Sequence, residues 1–259
     1  MGKWSLAALS AAVLVLAGVS AGCSNSEQPD RLVPPVAPTT PAPSAVDPAD
    51  AADLRYTFDA GLDGSVRAES GDLALAVVTQ HGGRLESIEH DGGRAVRFAA
   101  PCTAVPKECP RAILESGPAA NLNPGTSDLQ YGATVRISPG QEVDGANVVQ
   151  KGYSGEGSQF KLQVDHGKPS CVVVDVTRKE IHRAESRSTI GDGVWHRLGC
   201  ERTGGSLTLF VDGDEAARIA VPADLSIMNS EPLRVGGKGV GPNNDQFSGD
   251  VDDVYLSIG

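Results

Sequence analysis

The sequence predicts an all-β fold built as a sandwich of two antiparallel sheets, and three observations carry that prediction. From about Leu54 to Gly259, short runs of alternating apolar and polar residues follow one another, among them QFKLQVD, CVVVDVT and SLTLFVD. Turn dipeptides cut these runs. Asp-Gly stands at 63–64, 91–92, 144–145, 192–193 and 212–213, and Gly-Gly at 82–83, 92–93, 204–205 and 236–237. Both pairs supply the positive-φ residues of tight hairpins. No helix-period stretch longer than a turn or two intervenes; the nearest, PRAILESG, is short and bounded on both sides. No internal repeat of solenoid or propeller length is visible.

The elements follow in chain order. Residues 1–22 open with Lys3 and an apolar run from Leu6 to Val19, then Ser20, Ala21 and Gly22 ahead of Cys23. The run has the length of a signal segment rather than of a membrane span. The pattern resembles a bacterial lipoprotein signal with Cys23 as the lipidated first residue of the mature chain; cleavage by an ordinary secretory route is the alternative. Either places the protein outside the cytoplasm, and lipidation would hold it at a membrane face. Residues 23–53 hold seven of the 17 prolines, a composition that favours extended polyproline II over a packed core and reads as a tether. A motif for a proline-binding partner is the other reading of that segment.

Residues 54–259 form the expected domain. Its strands are RAVRFAA, YGATVRIS, NVVQKG, QFKLQVD, CVVVDVT, VWHRLGCER, SLTLFVDG, LRVGG and DVDDVYLSI. The turn TGG joins VWHRLGCER to SLTLFV as a hairpin. Strand alternation then puts Trp195 and Cys200 on opposite faces, so they do not form one site; Trp195 is expected as a core anchor and His196 at a packing or edge position.

The formal net charge is −11, and removing residues 1–22 takes away one positive charge, Lys3, to leave −12. That argues against nucleic acid or an anionic membrane surface as a main partner. Apart from Cys23, the cysteines are Cys102, Cys109, Cys171 and Cys200. An even number in an exported chain points to disulfides, and the favoured pairing is Cys102–Cys109 with Cys171–Cys200. No C-x2-C spacing supports the rival reading, a zinc site.

The stretches Trp195-His196-x-Leu198 and Leu207-Thr208-Leu209-Phe210-Val211-Asp212-Gly213 resemble the laminin G-like, concanavalin A-like jelly-roll domains. Leu233-Arg234-Val235-Gly236-Gly237 and Phe247-Ser248-Gly249-Asp250-Val251-Asp252-Asp253-Val254 fit the closing strands of the same family. Ala95-Val96-Arg97-Phe98 looks like its early strand, and Val148-Val149-Gln150-Lys151-Gly152 like its strand ending in Lys-Gly. The resemblance covers about residues 54–259, with a poorly matching segment at 66–93. It implies a binding module that recognises a glycan or protein at the cell envelope. It also implies a structural calcium with Asp59 and Asp252 as ligands, although two carboxylates are few for an ion that takes several oxygens; turn and edge roles are the alternative.

Jelly-roll domains bind through edge loops or a sheet face. Sugar recognition uses an aromatic ring to stack on and amides to bond hydroxyls. The candidates are Tyr153 in GYSGEGS and the amides Asn243, Asn244 and Gln246 in GPNNDQF. The alternative function is a divergent glycoside hydrolase of the laminarinase type, which carries its carboxylates on one strand as Glu-x-Asp-x-(x)-Glu. Glu142-Val143-Asp144 lacks the final Glu, and Asp250-Val251-Asp252 has no third acid. No Gly-x-Ser-x-Gly elbow and no His-Glu-x-x-His occurs, and the five histidines show no metal-ligand spacing.

Overall fold

The computed structural model describes residues 47–102 and 108–259. The expected signal segment, the lipidated Cys23 and the tether up to residue 46 lie outside the described residues. Among the described residues, sixteen strands run β1 (Leu54–Tyr56), β2 (Ser65–Val66), β3 (Leu75–Gln80), β4 (Glu86–His90), β5 (Gly93–Phe98), β6 (Arg111–Pro118), β7 (Leu129–Arg136) and β8 (Ala146–Tyr153). They continue as β9 (Ser158–Asp165), β10 (Lys168–Val174), β11 (Ile181–Glu185), β12 (Trp195–Thr203), β13 (Ser206–Val211), β14 (Asp214–Ala220), β15 (Pro232–Val235) and β16 (Gly249–Ile258). The first sheet has the order β14-β13-β12-β7-β16-β5-β4, with β1 on the far half of β16; the second has the order β11-β10-β9-β8-β15-β6-β3-β2. The predicted all-β sandwich is the observed one.

Side chains from the inner faces meet in one core. Val96 and Phe98, Tyr131, Ala133 and Val135, Leu198 and Val251 come from the first sheet. Leu114, Val149, Phe160, Leu162, Val173 and Val235 come from the second. Cys171 on β10 and Cys200 on β12 join the sheets through this core, and Cys102 pairs with Cys109, as the sequence predicts.

Two glycines admit close approaches. A side chain at Gly236 (φ +88°) would overlap the Phe98 ring, and one at Gly249 (φ +137°) would run into the Arg136 carbonyl. The Lys-Gly end of β8 has a structural task. Lys151 is fully buried, and its Nζ donates to Asn123 Oδ1 at 2.7 Å, Asn229 Oδ1 at 2.7 Å and Asn229 O at 3.0 Å. Burial pushes its pKa down to about 8, against the pull of Glu231.

Two segments left unassigned form strands, and one expectation differs from the fold. All of PRAILESG but its first residue lies in β6, a strand covered on both faces, with Ala112, Ile113 and Leu114 all buried. Trp195 is not a core anchor. Since Cys200 points inward, parity sends Trp195 outward, where it stacks on His90 with ring centroids 3.8 Å apart and lies under the Arg136 guanidinium at 4.8 Å. The 66–93 segment holds β3 and β4 in full, with β2 (Ser65–Val66) ending at its start, and the stretch just before Leu54 packs too. A one-turn 3-10 helix at Pro48–Ala51 sets Ala49 and Ala52 against Tyr255, and Arg197 pairs with Asp47. His196 sits at an edge, facing Asp212 at 2.8 Å and Asp192 at 3.2 Å, which raise its pKa against the effect of burial.

Candidate ligand-binding face

The inward direction of Cys171 fixes which side chains of the second sheet point away from the core. Its neighbours Ser170 and Val172 face outward, and register carries that face across the sheet. One row reads Asn147, Gln163, Ser170 and Glu185 on β8, β9, β10 and β11. The next reads Glu115, Arg234, Gln150, Lys161, Val172 and Arg183. These are amides, hydroxyls and charges, yet Asn147 and Ser170 are 0% exposed, Gln150 1% and Gln163 5%. The long loop from Gly236 to Phe247 covers part of them. Asn147 N donates to Asp245 O at 3.0 Å, Tyr153 Oη to Lys238 O at 2.7 Å, and Lys238 Nζ pairs with Asp245 at 2.9 Å.

Some of this polar capacity is engaged. Asn147 Nδ2 donates to Gln150 Oε1 at 2.6 Å, Gln150 Nε2 to Gly152 O at 2.7 Å, and Arg234 Nε to Glu115 Oε2 at 2.5 Å. The rest is open. Asn147 Oδ1 and Ser170 Oγ are buried with no hydrogen-bond partner. Among the described residues, the Gln163 and Lys161 side chains form no hydrogen bond and no ion pair. Burial lowers the Lys161 pKa; Asp245 and Asp165 oppose that, while Lys238 and Arg183 add to it. A buried polar group left unbonded is costly, so such a row is arranged for water or a ligand.

The residues that the sequence nominated lie around this face in different roles. Tyr153 stands at its border beneath the Arg234 guanidinium, 5.1 Å from the ring. Asn243, Asn244 and Gln246 line one depression of about 440 Å³ at the end of the sandwich, with Asp144, Asp245 and the Cys102–Cys109 bridge. Only Asn243 is exposed. Asn244 accepts from Arg111 Nε at 3.0 Å and donates to Gly239 O at 2.9 Å. Gln246 brackets Ala112, accepting from its N at 3.3 Å and donating to its O at 3.0 Å. Those two amides therefore shape the loop, and the open groups are the strand residues behind it.

The two aspartates expected to hold calcium are each engaged by other groups. Asp59 Oδ1 accepts from Arg94 N at 2.7 Å. Asp252 faces His90 Nδ1 at 2.5 Å with one oxygen and accepts from Asp253 N at 2.7 Å with the other. Burial lifts the Asp252 pKa to about 6, against the effect of His90. Among the described residues, the acid and histidine group with metal-ligand spacing is instead Asp144, Asp165 and His166, whose ligand atoms lie within 4.8 Å of one another. Asp144 lines the 440 Å³ depression, so a divalent cation held there would border the covered face.

Of the acids considered for hydrolysis, Asp144 is exposed and the other three are engaged. Asp250 accepts from both Arg97 and Arg136 at 2.6–3.2 Å, Asp252 is held as above, and Glu142 Oε2 accepts from Gly140 N at 2.7 Å.

Two sheets in this order, with a covered polar face on one of them, define a lectin-type sandwich. Residues 118–257 match the family model described as the concanavalin A-like lectin/glucanases superfamily, and the chain belongs to that family. No curated protein matches it. Similar solved structures include the binding domain of Paraclostridial Mosquitocidal Protein 1, with a TM-score of 0.60 and 11% identity over 82% of this chain and 49% of that one. The binding domain of Botulinum Neurotoxin DC in complex with SialylT gives 0.56 and 10% over 82% and 48%. Domain 4 of AbnA, a GH43 extracellular arabinanase from Geobacillus stearothermophilus, in complex with arabinotriose, gives 0.58 and 14% over 80% and 92%. The chain spans about half the length of the toxin binding domains it matches. At these identities the likeness is one of fold.

Proposed function

We propose that the chain is a non-catalytic module that binds a glycan outside the cytoplasm, tethered through Cys23 and residues 23–53 to a membrane. The observation that supports it is the covered row of Asn147, Gln163 and Ser170, with the half-buried Lys161 in the next row, whose open donors and acceptors match sugar hydroxyls. The fold it shares with an arabinotriose-binding domain agrees with this reading. Both disulfides fit an oxidising compartment. Asp144, Asp165 and His166 are the residues that would hold a cation beside the face.

A glycan array probed with the wild-type chain and with Gln163→Ala and Lys161→Ala tests the reading, with and without EDTA. Loss of a charged or amide hydrogen bond to a sugar costs about tenfold in affinity. The expected result is a loss of that size for both variants at unchanged melting temperature. Unchanged binding in both would overturn the assignment of the face.

A further inference from the structure

On the opposite sheet, the outward face carries a second depression of about 640 Å³. Arg97, Arg136 and Asp250 form part of its lining. Gly82, Gly83 and Arg84 on the β3–β4 connection, and Ser138, Gln141 and Gly193, form the rest of its polar rim. The charge is arranged in layers. The Asp250 carboxylate lies at the bottom with its side chain 5% exposed, while Arg97 and Arg136 above it are 45% and 30% exposed.

Each of these arginines gives Asp250 its Nε and Nη2. A guanidinium has five N–H donors, so the Nη1 group of each is left over. Arg136 further lies 4.8 Å over the Trp195 ring, which His90 braces from stacking distance. Arg84 is exposed and makes no hydrogen bond or ion pair among the described residues. Three guanidiniums thus face one buried carboxylate and the exposed Glu86, a local positive excess in a chain of net charge −11.

We propose that this depression is a second binding site, which takes the carboxylate of an acidic polysaccharide, a uronate residue. A planar carboxylate matches the guanidinium fork, and the pre-set arginines lose little freedom on binding it. The rim favours a sugar over an acidic peptide. Beside the charged groups the lining is made of glycines, Ala99, Ala100, Pro110, Ser138, Gln141 and the buried Phe98, and the peptide and side-chain polar groups among them suit hydroxyls. The site is separate from the face of the other sheet and stands or falls without it.

The test is calorimetric titration of the full chain with polygalacturonate, carboxyl-reduced polygalacturonate and polyglutamate. Arg84→Glu is the main variant, because Arg84 supports no buried group. Binding of polygalacturonate alone is expected, weakened about tenfold or more by Arg84→Glu and by raised salt, with the melting temperature unchanged. Gln163→Ala and Lys161→Ala should leave it intact, which separates this site from the first. Equal binding of Arg84→Glu, equal binding of the carboxyl-reduced polymer, or no binding of polygalacturonate would overturn the site. Equal binding of polyglutamate would overturn the sugar as its ligand.

Discussion

Replacing Cys171 and Cys200 together by alanine lowers the unfolding free energy by about 3–4 kcal/mol, measured by urea denaturation at neutral pH. The bridge closes a loop with a sequence separation of 29 residues and ties β10 of one sheet to β12 of the other through the core. In the chain-entropy account, its removal lets the unfolded chain explore more conformations. Both cysteines are buried, at 0% and 1% exposure, so alanine also leaves a small void between the sheets. The Cys102–Cys109 bridge closes a loop with a separation of only 7, and its removal has the smaller effect. A loss below about 1 kcal/mol for the Cys171–Cys200 pair would show that the sheets are held without it.

Asp175→Ala has an effect of similar size, and it depends on pH. Asp175 follows β10, and its side chain is 1% exposed. Its carboxylate accepts from Thr177 N at 2.7 Å, Arg178 N at 2.6 Å and Ser226 N at 2.9 Å, and pairs with Arg178 at 3.3 Å. It therefore joins the β10–β11 connection to the loop before β15. Burial alone would raise its pKa, but the N–H groups of Arg178, Ser226 and Thr177 outweigh burial and bring it down to about 2.

A depressed carboxylate pKa adds stability that is complete above the unfolded value of 3.8 and is lost as pH falls through about 2. The shift is worth roughly 2 kcal/mol, and the alanine variant also leaves three part-buried N–H donors to find water, for a total of about 3 kcal/mol. Denaturation curves of wild type and variant at neutral pH should differ by that amount, and the gap should narrow from pH 4 to pH 2. A gap that stays constant over this interval would contradict the assignment.

The strands that alternation marks most clearly were legible: β9, β12, β13 and β16 fall where period-2 runs stand, and β8 and β10 were read from short apolar runs between turn signals. Those that were missed lack that period for physical reasons. β6 is covered on both sides, so Ala112, Ile113 and Leu114 form a continuous apolar run. β14, DEAARIA, and β4, ESIEH, are edge strands of exposed and half-buried residues, with none buried, that hold their place by pairing rather than by propensity. For Trp195 the parity was right and the side wrong. An indole suggests the core, but the disulfide decides which face is inside.

The candidate site divides in the same way. Tyr153 and the 243–246 amides stood out because loop composition advertises them. Asn147, Gln150, Lys161, Gln163 and Ser170 did not, because outward polar residues on a strand look the same whether water or a loop covers them. The loop Gly236–Phe247, which lies against β8 through Asn147 and Tyr153, is what covers part of them. The metal-spaced trio was hidden too, since Asp144 and Asp165–His166 are joined only by the pairing of β8 with β9.

The most direct measurement is a map of the bound sugar. Side-chain amide resonances of Asn147, Gln150 and Gln163 are followed by NMR while the domain is titrated with the tightest-binding neutral glycan of the array. The account predicts that these resonances shift together and saturate at one ligand per chain, with the Trp195 indole signal unmoved. Saturable shifts at Trp195 with none at Asn147 or Gln163 would contradict it.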